Sequence, residues 1–314
     1  MHFFATVFAS IVALFPFAAA EPVSPSLAIP TRTPAPRATV LFGGDMMFDR
    51  SVRVAMQENG IDFVFSCFGD LLKNADLTVA NLEGPITARA SKSVGTAAGE
   101  LNNTRFTFSS TTAPLLRMQG IDVVSLGNNH AKDFGEEGIV STMQLLDAAS
   151  VGYFGDPLGE RVFKTTIKGV AIALIGHNQF SSGGGSASGG QNAEETTLDK
   201  VRAARADGYL PIVFAHWGDE YVAANLKQKR LAREFIDAGA ELVVGAHPHV
   251  VQEHEIYADK HIYYSLGNLI FDQYWEDAVR NGLVLEVTFG KGGVEKVQEI
   301  KTHLERDRRT CPML

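Results

Sequence analysis

Cysteine is nearly missing from this chain of 314 residues: Cys67 and Cys311 stand far apart and in no recognisable motif. Two cysteines exclude a disulfide-dense scaffold and a cysteine-based zinc site. Export would permit them to pair, but Cys67 lies in the apolar run Phe63-Val64-Phe65-Ser66-Cys67-Phe68, so two free thiols are expected. Basic charge is also short, with 28 Lys and Arg against 36 Asp and Glu, a net charge of −8. Without a basic stripe or arm there is no footprint for nucleic acid. An anionic substrate would have to be attracted locally, by bound metal or by a few basic side chains in a cleft. Long apolar runs are confined to the N-terminus, and 45% hydrophobic with 20% charged residues excludes a multi-span membrane protein.

What the N-terminus does have is the pattern of an export signal. Phe3 to Phe15 is apolar apart from Thr6 and Ser10, and Pro16 and the small triplet Ala18-Ala19-Ala20 follow before Glu21. The run is shorter than the roughly 20 apolar residues of a comfortable membrane span. Residues 1–20 therefore read as a cleaved signal, placing the mature chain in the periplasm, in the cell envelope or outside the cell. Residues 21–37, with Pro22, Pro25, Pro30, Pro34 and Pro36, read as an extended linker. A folded domain is expected over 38–302 and a C-terminal tail over 303–314.

Within that domain, short apolar runs alternate with helical-period stretches. Strands are expected at Thr39–Phe42, Leu77–Ala80, Val123–Leu126, Val170–Ile175, Ile212–Ala215, Leu242–Val244 and Ile262–Ser265. Several are apolar throughout, as strands covered on both faces are. Helices are expected at Ser51–Asn59, Gly138–Ala149, Leu198–Asp207 and Leu226–Ala238, with Gly60, Gly152, Gly208 and Gly239 as stop signals. Leu283–Thr302 reads as a hairpin. The Gly/Ser-rich stretch from Ser181 to Gly190 reads as a flexible loop, either a lid or a solvated insertion.

Five strand ends carry the chemistry. They run into Gly43-Gly44-Asp45, Asn81-Leu82-Glu83, Gly127-Asn128-Asn129-His130 with Asp133, His216-Trp217-Gly218-Asp219-Glu220, and His247-Pro248-His249. Ligands bind beyond the carboxyl ends of strands in open α/β sheets, because neighbouring loops converge there. A lone Gly-Asp is usually a turn and a lone histidine usually a hydrogen-bonded core residue; the joint pattern is what suggests metal. Carboxylates, amides and imidazoles suit Mn, Fe or Zn. The candidates outnumber the four ligands of one tetrahedral ion, so two ions sharing a bridging carboxylate are a reasonable expectation. His2, His254, His261 and His303 fall outside the pattern, whereas His177, close after a strand, could line the cleft.

The ordered set of Gly44-Asp45-Met46-Met47 with Arg50, Asn81 to Pro85, Gly127 to His130 with Asp133, His216 to Tyr221, His247 to Val250 with Gln252, and Ser265 to Asn268 with Phe271-Asp272-Gln273 resembles the CapA (poly-γ-glutamate capsule biosynthesis, PGA_cap) family. That family is a branch of the calcineurin-like metallophosphatases. The resemblance implies an α/β (α+β) fold, a four-layer αββα sandwich with two central mixed sheets. It implies a site for one or two divalent transition metal ions held by Asp45, Glu83, Asn129, His216, His247 and His249. His130 would be the catalytic acid, with Asp133 orienting it. Met47 stands where the wider superfamily has a histidine, and a thioether suits a hard metal poorly. Arg50 and Lys132 are candidates to hold an anionic substrate, and Tyr221, Gln252, Asn268 and Gln273 to wall the pocket. The expected partner is an anionic polymer or a phosphoester, with membrane capsule-synthesis proteins as further partners. Two functions follow: a hydrolase of a phosphoester or γ-glutamyl amide, or a non-hydrolytic metal-binding component of polymer synthesis or export.

Overall fold

A computed structural model describes residues 1–7, 9, 10, 35–96, 98, 100, 103–181, 185–188 and 193–313. The chain divides into an N-terminal unit, Met1–Pro34, and a body, Ala35–Leu314. Described residues of the first unit have no regular structure, and most of the expected signal and linker lies outside the described residues. No described helix is long and apolar enough to cross a membrane.

Two mixed sheets form the body. In chain order the first strands are β1 (Arg37–Met46), β2 (Leu77–Leu82), β3 (Val123–Ser125), β4 (Gly152–Phe154), β5 (Phe163–Ile167) and β6 (Val170–Asn178). A two-stranded ribbon, β7 (Phe180–Ser181) and β8 (Gly185–Ser188), falls in the Gly/Ser-rich stretch. The rest follow as β9 (Leu210–His216), β10 (Leu242–Ala246), β11 (His254–Tyr257), β12 (Lys260–Tyr263) and β13 (Asn268–Ile270). The chain ends in β14 (Asn281–Gly290), β15 (Gly293–Leu304) and β16 (Thr310–Pro312). One sheet runs β16-β15-β14-β1-β2-β3-β4, with β13 also on β1, and the other runs β11-β12-β10-β9-β6-β5.

Alternation along the strands builds the layers. Val40 and Phe42 of β1 meet Ile172 and Leu174 of β6 and Ile212 and Phe214 of β9 in a core between the sheets. Leu41, Ala80 and Val124 point the other way, under α1 (Arg50–Asn59), α2 (Thr112–Met118) and α3 (Gly135–Ala148). Ala173, Ile175, Val213 and Val243 face α4 (Ala193–Ala206) and α5 (Leu226–Asp237). The result is the expected αββα sandwich. Each fully buried side chain such as Phe42 or Phe214 contributes about 1.5–3 kcal/mol of apolar burial.

Three expectations are corrected. Cys67 and Cys311 form a disulfide rather than free thiols. The Phe63–Phe68 run sends Val64, Phe65 and Phe68 into the core but leaves Cys67 half-buried, within reach of β16. Residues past Thr302 are not a loose tail: β15 continues to Leu304, and β16 returns antiparallel onto it. Gly152 does not stop α3; the chain turns at Ser150 (φ 57°), and Gly152 opens β4.

Candidate metal centre

Strand register gathers the site. In the parallel ladder Asp45 of β1 stands opposite Asn81 of β2 and Asn268 of β13, while His216 of β9 stands opposite Ala246, the residue before His247. Gly44 lets the chains approach: a Cβ there would lie 1.9 Å from the Gly267 carbonyl oxygen. Beyond β10 the His-Pro-His turn puts His247 (φ 96°) and His249 (φ 56°) in the left-handed region. Backbone strain of this kind persists only where surrounding contacts over-determine it. Here the Pro248 carbonyl accepts from Tyr221 N at 2.9 Å, and the His247 N–H donates to Asp45 Oδ2 at 2.9 Å.

The six side chains expected as ligands lie together. Donor atoms of Asp45, Glu83 and His216 fall within 4.8 Å of one another, and those of Glu83, His247 and His249 do the same. Glu83 belongs to both triads. Asn129 joins through its Oδ1, 2.9 Å from His216 Nε2. Asn268 accepts from His249 Nδ1 at 2.9 Å, which turns Nε2 toward Glu83 Oε1, 3.7 Å away. That partner fixes tautomer and ring orientation as is usual for a ligating histidine. Asn81 donates to Asp45 Oδ1 at 2.7 Å and in turn accepts from Asn128. Both amides stand in the strand-end motifs, where the sequence alone gives them no ligand role.

Burial sets the electrostatics. Desolvation, reinforced by the Asp45 charge, holds the Glu83 carboxyl well above its ordinary range. Asp45 is pushed up to about 6, again mainly by burial. Burial pushes His216 and His249 well below their ordinary value, and His247 down to about 3. Two carboxylates packed among neutral imidazoles are a site short of positive charge. Glu83 Oε1 and His247 Nδ1 are also buried without a hydrogen-bond partner. Leaving such groups unpaired costs about 1–3 kcal/mol each, so the donor set fits one or two divalent cations. Met47 takes no place in either triad; its sulfur accepts from Asp49 N, and its side chain packs in the outer core.

Beside the triads lies the expected acid pair. His130 Nδ1 is 3.0 Å from Asp133 Oδ2, and Nε2 is 3.9 Å from Glu83 Oε1. Asp133 also accepts from Phe106 N at 2.7 Å, and the Phe106 ring covers His130 at 4.4 Å. A cleft of about 440 Å³ opens over Glu83, His130 and His249, walled by Arg50, Phe106, Glu220, Tyr221, Gln273 and Trp275.

Some expected wall residues lie elsewhere. Gln252 is buried, bonding Gln228 and the Val222 carbonyl. Asn268 supports His249 from behind and does not line the cleft, nor does Lys132. His177 packs among Phe235 and Trp217 and bonds Thr197. Phe106 and Trp275 come from irregular segments with no periodicity to mark them.

A family model described as "Bacterial capsule synthesis protein PGA_cap" matches residues 39–273, which include every residue of the two triads and the acid pair. The capsule biosynthesis protein CapA of Bacillus anthracis is 30% identical over 262 residues, 78% of this chain and 62% of that protein. The PGA biosynthesis protein CapA of Bacillus subtilis (strain 168) is 30% identical over 268 residues, 82% of this chain and 69% of that protein. This chain thus spans less than two thirds of the length of the Bacillus anthracis relative. Matched by the family model along most of its length, the chain belongs to the PGA_cap family of bacterial capsule synthesis proteins.

Proposed function

We propose that the chain is an exported, metal-dependent hydrolase acting on a phosphoester or a γ-glutamyl amide in capsule or poly-γ-glutamate metabolism. The observation that carries this reading is Glu83: it is shared by two ligand triads and lies 3.9 Å from an oriented His130. A shared carboxylate suits a pair of divalent ions such as Mn, Fe or Zn, held by Asp45 and His216 on one side and by His247 and His249 on the other. Such ions supply Lewis-acid polarisation of a phosphoryl or carbonyl oxygen and acidify a water.

The chain's own residues supply the rest. Asp133 accepts from His130 Nδ1 and orients the ring, leaving Nε2 directed at the cleft to donate a proton to a leaving group. Phe106 fixes the ring and keeps water from that face. Glu83, Asp45 and Asn81 form a buried hydrogen-bonded floor that holds the ligand atoms in place. Export gains support from the Cys67–Cys311 disulfide, since such bonds persist in oxidising compartments.

The names of the two relatives, which concern biosynthesis, favour the second reading, a metal-binding component of polymer synthesis or export without hydrolysis. His130 separates the two. Replacing it with Ala should leave metal content and the melting temperature close to wild type while slowing turnover by roughly 10²–10⁴-fold. His247→Ala should lose metal and activity together. Full activity in the His130→Ala protein, in a hydrolysis or capsule-production assay, would transfer the case to the non-hydrolytic reading.

A further inference from the structure

Among the described residues lining the cleft beside Glu83 and His249, Arg50 is the one lysine or arginine. It is 4% exposed and carries two unusual costs. Its backbone lies in the left-handed region (φ 46°), which costs a non-glycine residue roughly 1–3 kcal/mol. Its Nε is buried without an acceptor. A guanidinium has five N–H donors. Asp272 takes one of them, from Nη2 at 2.5 Å.

The surroundings hold the group still. Its Cζ sits 4.9 Å from the Phe106 ring centre and 5.4 Å from that of Phe271. Asp272 is itself fixed by Ser51 Oγ at 3.0 Å, and that hydroxyl accepts from Arg308 Nε at 2.9 Å. A purely structural cation would gain by pairing all its donors, because unpaired buried charge is expensive. This one is held by Asp272 through Nη2 and keeps a buried, unpartnered Nε, while its side chain lines the cleft. Glu220, also on the cleft wall, repels a second anion and so biases a substrate's negative group toward Arg50.

We propose that Arg50 is the oxyanion anchor of the cleft, taking a carboxylate or phosphate of the substrate beside the group held near Glu83 and His249. This rests on the cleft being a substrate site, but not on hydrolysis occurring there.

The test is equilibrium titration of the full metal-loaded chain with two probes, inorganic phosphate and a synthetic γ-glutamyl trimer. At least one should bind, and Arg50→Gln should weaken it about 10–100-fold with metal content and circular dichroism unchanged. Loss confined to the trimer identifies a carboxylate, and loss confined to phosphate a phosphate. A second measurement needs no variant: the Arg50 Nε–H resonance of the wild type should move as the bound probe is added. The proposal is overturned if neither probe binds, if Arg50→Gln binds within twofold of wild type, or if that resonance stays fixed at saturation. Arg50-dependent binding without turnover would remove the hydrolase reading and keep the anchor; turnover with Arg50-independent affinity would do the reverse.

Discussion

At the scale of single residues, protons and metal would compete for the same side chains of the proposed centre. Asp45, pushed up to about 6 by burial, takes up a proton as pH falls through slightly acid values, and Glu83, held well above its ordinary range by burial and the Asp45 charge, is protonated more readily than an exposed carboxylate. His247 stays neutral until about 3, so in the proposed centre the carboxylates rather than the imidazoles would exchange metal for protons as pH falls. Without metal, these buried groups act on stability with opposite signs. Asp45's raised value contributes stability that is present below its unfolded value of 3.8 and lost as pH rises through about 6. The depressed histidines act oppositely, with a contribution present above 6.5 and lost as pH falls toward the acid range. Metal relieves the ionised carboxylates only where they are ionised. The metal-induced rise in melting temperature should therefore be larger at pH 7.5 than at pH 5, and metal retained after dialysis should fall across about pH 6. Equal rises at both pH values would contradict the carboxylate-controlled site.

At the scale of elements, the ligands are delivered by a close crossing of β1 and β13. Asp45 N donates to the Gly267 carbonyl at 3.1 Å, and an added Cβ on Gly44 would collide with that oxygen. Gly44→Ala must push the strands apart, so it should lower the melting temperature by several degrees and reduce metal content. Gly292→Ala, where a Cβ meets nothing within 4 Å, serves as the control and should change neither. The same geometry explains what was legible in the sequence. Buried strands such as β2 and β9 announce themselves as unbroken apolar runs, and the polar residues that end them mark the centre. Helix α2 is only seven residues long and contains Pro114, while β4 has three residues; neither is long enough to show a period. Which polar residues face the cleft was less legible. Gln252 and Tyr221 share the same sequence neighbourhoods of strand-end motifs, but Gln252 turns to α5 and Tyr221 to the cleft.

At the scale of the molecule, the C-terminal edge is closed by chemistry that alternation alone does not reveal. β16 has only three ladder pairs on β15, plus Thr310 Oγ1 donating to the Leu269 carbonyl at 2.5 Å. So short an edge strand gains little from its ladder; the disulfide instead ties it to the segment following α1, across 244 residues of sequence. Cross-links that close long loops stabilise chiefly by restricting the unfolded chain, by about 2–5 kcal/mol in small secreted domains. In a body of this size each kcal/mol moves the melting temperature by about 2–4 °C. A Cys67→Ser, Cys311→Ser double variant should then melt on the order of 10 °C lower. The metal centre is built from other strands and should keep its metal below that transition. Wild-type protein made in a reducing cytoplasm should melt with the double variant, and protein exported to an oxidising compartment should melt higher and expose no titratable thiol. If both preparations melt together and both present free thiols, the cross-link does not form and the support it lends to export is withdrawn.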